Sequence, residues 1–295
     1  CQMMETAVYD RANSKIYIEK QYKAKQLNFL YNTVLGRILL KLIFSTKTAS
    51  KLYGALNSGK GSIKKIKPFA EKYGIDMSEY GQGVYTSFND FFIRKILPDK
   101  RPFAAGEDEL AAVADSKLLV CKIEDDLKLK IKKSIYSVSE LIKDKNISDD
   151  YRDGMCLIFR LTVDDYHRYC FFDSGRLTRT RSINGCLHTV GPISAQRHNV
   201  YSENHRIVNS LETDHFGNVL YIEVGALLVG KIVNREITNF NKGEEKGYFM
   251  MGGSTIVILF RKDTIEIDSD ILAYSKQSIE TKVRTGEKVG KRKLW

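Results

Sequence analysis

The chain has 295 residues, 43% of them hydrophobic and 28% charged, which supplies the core of one large domain or two small ones and excludes a disordered or fibrous protein. Its 47 Lys and Arg against 36 Asp and Glu leave a formal charge of +11, favouring an anionic partner, either nucleic acid or an acidic lipid surface. Five cysteines without a Cys-x-x-Cys pair argue against a disulfide framework or a zinc ribbon, and for a reducing compartment.

From Leu27 to Phe44, apolar residues recur at helical spacing through Leu27, Leu30, Tyr31, Val34, Leu35, Ile38, Leu39, Leu42 and Ile43, so an amphipathic helix is expected. Asn28, Asn32, Thr33, Arg37 and Lys41 interrupt it, and it lacks the roughly 18 continuous apolar residues of a membrane span. Such a helix either packs on the protein's own core or lies in a membrane interface. Further helical patterns cover Ser50 to Leu56, Ile63 to Tyr73 and Phe88 to Ile96, the last ended by Pro98. Lys60, Lys64, Lys65 and Lys67 cluster beside Gly59 and Gly61 in what reads as a solvated loop, also suited to lipid phosphates.

From about Val113 the pattern changes to short runs rich in β-branched and aromatic residues: Leu118 to Ile123, Leu127 to Ile131, Met155 to Val163, Val219 to Val224, Leu227 to Val233 and Thr255 to Phe260. One helix, Val138 to Lys143 opened by Ser137, interrupts them, and Asn184-Gly185 and Gly217-Asn218 read as turns. The expected class is α+β, with N-terminal amphipathic helices in residues 1–100 and a mainly β domain in residues 101–295. The basic stretch from Lys282 to Trp295 reads as a solvated tail.

His188, His198, His205 and His215 lack a spacing that presents two imidazoles to one metal, so no metal is expected. His167 differs, because it follows an apolar strand in Asp164-Asp165-Tyr166-His167-Arg168, where a rigid element ends and aims a side chain. Far along the chain, Gly252-Gly253-Ser254-Thr255 runs into another apolar strand. Glycine permits close approach to the Gly253 carbonyl, and Ser254 places a hydroxyl beside it. Alone, such a run is a turn before a strand.

Several segments taken together resemble the phosphatidylserine decarboxylase family. Ser87-Phe88-Asn89-Asp90-Phe91-Phe92 with Arg101-Pro102, Ala114-Asp115-Ser116, Asp165-Tyr166-His167-Arg168, Asn184-Gly185, Asn204-His205-Arg206 and Val224-Gly225-Ala226 follow the family's order. Lys242-Gly243, Glu245, Gly247, Phe249 and Gly253-Ser254-Thr255 are similar to its Lys-Gly-x-Glu-x-Gly-x-Phe-x-x-Gly-Ser-Thr ending. Three departures stand out. Gly252 replaces the commoner Leu, Ser116 replaces a Gly, and Cys170 stands where many relatives carry a second His. The base function is therefore assigned to His167 alone.

The resemblance implies a proenzyme that cuts itself between Gly253 and Ser254, with His167 oriented by Asp115 and deprotonating Ser254. It further implies that Ser254 becomes a covalent pyruvoyl group, the only cofactor, which forms a Schiff base with phosphatidylserine and accepts the electrons released with CO2. Implied partners are phosphatidylserine in an anionic membrane, the large and small chains of one precursor, and a second copy in a homodimer. A barrel-sandwich catalytic domain would keep the two chains associated through the strand after Ser254. Peripheral attachment to the cytoplasmic face of a bacterial cell membrane is expected, using the Leu27 to Phe44 helix and the basic charge. Two rivals are a hydrolase with Ser254, His167 and Asp115 as a triad, and a basic β-rich nucleic-acid module. The first lacks a Gly-x-Ser-x-Gly elbow around Ser254, and the second lacks an aromatic, basic binding strand, so no nucleic acid is expected.

Overall fold

A computed structural model describes residues 6–19, 24–33, 35–36, 54–81, 83–131, 134–186, 188, 199–226, 231–250 and 254–294. Strands are numbered along the chain. The largest sheet has ten, which run from edge to edge as β13 (Asn239–Phe240), β9 (Gly175–Ile183), β10 (Arg206–Thr213), β11 (Gly217–Val224), β15 (Ser254–Phe260), β7 (Met155–Leu161), β4 (Ser116–Lys122), β17 (Glu280–Val283), β1 (Thr6–Asp10) and β2 (Lys15–Glu19). Two three-stranded sheets accompany it, β12 (Lys231–Asn234) with β14 (Glu245–Met250) and β8 (Arg168–Cys170), and β16 (Ile265–Ile267) with β18 (Lys288–Arg292) and β3 (Glu109–Ala111). β5 (Lys128–Ile131) and β6 (Ser134–Ser137) form a hairpin.

Side chains alternate across a strand, so the central strands feed two cores. Leu118, Leu157, Phe159, Ile256 and Ile258 point to one side, where Tyr169 and Phe249 of the β12–β14–β8 sheet cover them. Leu119, Ile158, Val257, Leu259 and Ile222 point to the other, against the helices Val138–Ile142 and Val200–Glu203. Burial on both faces explains why β15 is apolar without alternation, with all seven residues buried. The architecture is α+β with a sandwich-like β domain.

Three features differ from the sequence expectation. The first hundred residues are not helical from the start, because Thr6–Asp10 and Lys15–Glu19 form a hairpin on the large sheet, with β1 parallel to β17. The C-terminal stretch is no solvated tail. Val283 and Val289 are buried in β17 and β18 while the neighbouring Lys288 and Lys291 face solvent, so the lysines are the outer halves of strands. The helix at Phe88 stops at Phe92, well before Pro98, where the Ile93 carbonyl accepts instead from the Arg168 guanidinium at 2.8 Å. Ala24–Asn32 is helical, but half of the amphipathic segment expected over Leu27 to Phe44 lies outside the described residues, as do residues 227–230 of the strand expected over Leu227 to Val233.

Candidate active site

His167 lies in the turn between β7 and β8 and is fully buried, its ring centroid 4.2 Å from that of Phe92. Phe92 comes from the short helix Phe88–Phe92, which Ser87 caps by accepting from the Asp90 amide at 3.1 Å, while Asp90 accepts from the Thr86 amide at 2.9 Å. The imidazole Nδ1 sits 2.8 Å from the Asp165 carbonyl oxygen. A carbonyl only accepts, so Nδ1 carries the proton and, in the neutral ring, Nε2 carries the lone pair. A backbone group thus sets the tautomer.

Ser254 opens β15 and pairs with Leu161, the last residue of β7, just upstream of the histidine turn. On the other side of that turn, the Phe249 amide donates to the His167 carbonyl at 3.0 Å. The segments Leu161–His167 and Phe249–Ser254 are therefore fastened to each other at both ends. Ser254 is fully buried, and its hydroxyl has no hydrogen-bond partner among the described residues, a costly state for a group without chemistry to do. Gly252 and Gly253 lie outside the described residues.

Asp115 does not hydrogen bond to His167. Its oxygens accept from Arg101 Nε at 3.0 and 3.1 Å and Arg101 NH2 at 2.7 Å, and from the Thr285 amide at 2.8 Å and hydroxyl at 2.9 Å. The expected orienting contact is thus made by the Asp165 carbonyl, and Asp115 anchors Arg101 and the turn between β17 and β18. Its charge still faces this region, because burial, then the Asp115 and Glu245 carboxylates, push the Cys170 thiol far above its ordinary value. Cys170 Sγ donates to the Val113 carbonyl at 3.4 Å, so the residue standing in place of a second imidazole is a protonated, buried thiol.

The remaining motifs converge by named contacts. Arg168 grips Glu245 through NH1 at 2.9 and 3.0 Å and lies over the Tyr248 ring at 4.9 Å, joining the histidine turn to the segment before Ser254. Asn204 donates to the His188 and Gly225 carbonyls, both at 2.7 Å, and so ties its own motif to Val224-Gly225-Ala226 and to His188. Gly247 is required by crowding, since a Cβ there would stand 2.2 Å from the Val233 oxygen.

Sequence reasoning missed two buried charge networks. Lys117 on β4 reaches Asp165 at 2.7 Å, and Arg160 on β7 reaches Glu280 at 2.5 Å and Glu19 at 2.6 Å. Lys246 meets Glu223 at 2.5 Å inside the sandwich, where Asn209 also donates to Glu223 at 2.7 Å. The signal was present as single charges inside apolar strands, in Met155–Leu161 and Gly217–Val224 above all.

Comparison with known proteins bears on the same residues. The family model described as phosphatidylserine decarboxylase matches residues 88–291. Over 287 residues, 97% of this chain and 99% of the relative, the sequence is 59% identical to phosphatidylserine decarboxylase proenzyme 2 of Clostridium acetobutylicum. Phosphatidylserine decarboxylase proenzymes of Ruminiclostridium cellulolyticum and Clostridium tetani are 41% and 40% identical, each across 96% of this chain and 96% and 97% of their own lengths. With motifs, fold and relatives in agreement over nearly its whole length, the chain belongs to the phosphatidylserine decarboxylase family.

Proposed function

We propose that this chain is a phosphatidylserine decarboxylase precursor that cuts itself between Gly253 and Ser254 and then converts phosphatidylserine to phosphatidylethanolamine and CO2. The observation that carries the reading is the buried Ser254 hydroxyl, without a partner among the described residues, at the head of a strand stapled to the His167 turn. His167 Nε2 is the basic nitrogen of the neutral tautomer and takes the Ser254 proton. The serine oxygen attacks the Gly253 carbonyl and the peptide nitrogen leaves it, so the amide becomes an ester with a free amine on residue 254. Loss of the Cα proton of residue 254 expels the Gly253 carboxylate as the end of the large chain. Addition of water and loss of ammonia then leave a pyruvoyl group on the small chain, residues 254–295.

A hydroxyl without a partner among the described residues, at the head of a fully buried strand, fits a residue that is to be converted. Once formed, the group supplies a ketone that takes up the lipid amine and accepts the electrons released with CO2. His167 holds and returns protons at Nε2, with Phe92 and the Asp165 carbonyl fixing the ring. Asp115 contributes its negative charge and the Arg101–Thr285 anchorage. The same geometry disfavours a hydrolase triad, because Asp115 and His167 share no hydrogen bond.

The lipid is reached at a membrane surface. Among the described residues no helix is long and apolar enough to cross a bilayer, and the +11 charge with the sequence pattern over Leu27 to Phe44 suits peripheral, salt-sensitive docking on the cytoplasmic face of a bacterial membrane. The working unit would contain both chains of the precursor, and a homodimer is included in the proposal. Purified protein added to vesicles containing phosphatidylserine should release CO2 and yield phosphatidylethanolamine without added cofactor. Failure of fully processed protein to do so would overturn the proposal.

A further inference from the structure

We propose that Lys117, acting through Asp165, is a positioning residue for His167. The inference rests on His167 being the base of the function proposed above. The turn carrying His167 is closed by one carboxylate, because Asp165 Oδ2 accepts from the Thr162 amide at 2.7 Å and its hydroxyl at 2.9 Å. The Asp165 amide in turn donates to the Thr162 carbonyl at 3.0 Å. Lys117 reaches this turn from the neighbouring strand β4, its ammonium 2.9 and 2.7 Å from the two Asp165 oxygens and 2.5 Å from the Thr162 hydroxyl. The carbonyl of the same Asp165 receives the Nδ1 proton of His167 at 2.8 Å.

Fixing the side chain of Asp165 therefore fixes the peptide plane that selects the His167 tautomer. Were the carboxylate released, the carbonyl would be free to rotate and Nδ1 to lose its acceptor. The Lys117 and Asp165 side chains are only 3% and 11% exposed, so this ion pair has shed most of its hydration. A buried ion pair of this kind adds little net stability compared with apolar residues of similar size, and its use is to specify one geometry. The N-terminal hairpin completes the clamp, since Glu19 of β2 lies 3.4 Å from Lys117 and 2.6 Å from Arg160.

The test uses the full chain in four forms, wild type, Lys117→Met, Lys117→Arg and the milder Thr162→Val. Self-cleavage is followed on denaturing gels, thermal unfolding reports folding, and the His167 tautomer is read from 15N resonances of histidine-labelled protein carrying Ser254→Ala. Lys117→Met should slow cleavage at least thirtyfold and erase the Nδ1-protonated signature, Lys117→Arg should restore most of both, and Thr162→Val should slow cleavage several-fold. If Lys117→Met does not fold, Thr162→Val decides. Wild-type rates and an unchanged tautomer in the folded variants would overturn the proposal. If the wild type itself does not cleave, the function proposed above fails, while the tautomer measurement still decides the role of Lys117.

Discussion

The Phe249 amide donates to the His167 carbonyl at 3.0 Å, and the same chain, on reaching Ser254, pairs with Leu161 at the opposite end of the histidine turn. Two distant stretches of sequence are thereby locked into one small frame, one carrying Ser254, the proposed nucleophile, and the other His167, the proposed base. Neither motif can move without displacing the other. Strand pairing with Leu161 thus fixes the place of Ser254, as the proposed chemistry requires.

Replacing His167 by Asn should slow self-cleavage by about 10² to 10⁴, the ordinary worth of a positioned base. Because Asn keeps a polar side chain beside Asp165, unfolding temperatures should shift only modestly. Time courses of chain appearance check the first statement and calorimetry the second. Unaltered processing would remove His167 from the mechanism.

After cleavage the small chain should stay bound. β15 is hydrogen-bonded between β11 and β7, and β17 between β4 and β1, so both neighbours of each strand belong to the large chain. Size exclusion in ordinary buffer should give one species containing both chains, separated only by denaturant. Spontaneous dissociation would contradict the central placement of β15.

Lys246 and Glu223 are 2% and 0% exposed, and each is the other's countercharge. Lys246→Met should destabilise the fold by about 3–5 kcal/mol, because it strands a buried carboxylate. Adding Glu223→Leu should recover most of that loss, and urea titrations of the single and double variants test it. A double variant no more stable than the single would refute the pairing.

Asp165 carries a pH signature. Burial pushes its carboxyl up, Asp164 adds to this, and Lys117 opposes it, leaving a value of about 6 against the ordinary 3.8. The folded protein then holds a proton that the unfolded chain releases, so this group's contribution to stability falls as pH rises from about 4 to 6 and is level above. Asp165→Asn abolishes the slope, and the stability difference between variant and wild type should change by about 3 kcal/mol across that window. Parallel stability curves would refute the raised value.

Much of this was legible from the sequence because the determining residues were strongly patterned. The strands from Leu118, Met155, Val219 and Thr255 stood out through continuous apolar runs, and His167 and Ser254 through motifs that lie together in the family's order. β9 and β10 were hidden because Arg176, Thr178, Thr180 and Ser182 give an edge-side strand a polar, loop-like composition. β17 and β18 were hidden for a related reason, their lysines masking alternation. Which partner orients His167 was beyond reach, because a backbone carbonyl leaves no trace in residue identity. The role of Arg101 in occupying Asp115 needed the fold, since a motif match names the residue and not its partner.

The most direct test of the account is the intact mass of freshly matured protein under denaturing conditions, beside a Ser254→Ala variant. The account predicts two chains for the wild type, divided between Gly253 and Ser254, with residues 254–295 blocked by a pyruvoyl group, and one uncut chain for the variant. A wild type that remains a single chain of 295 residues, or a Ser254→Ala variant that is still cut there, would contradict it.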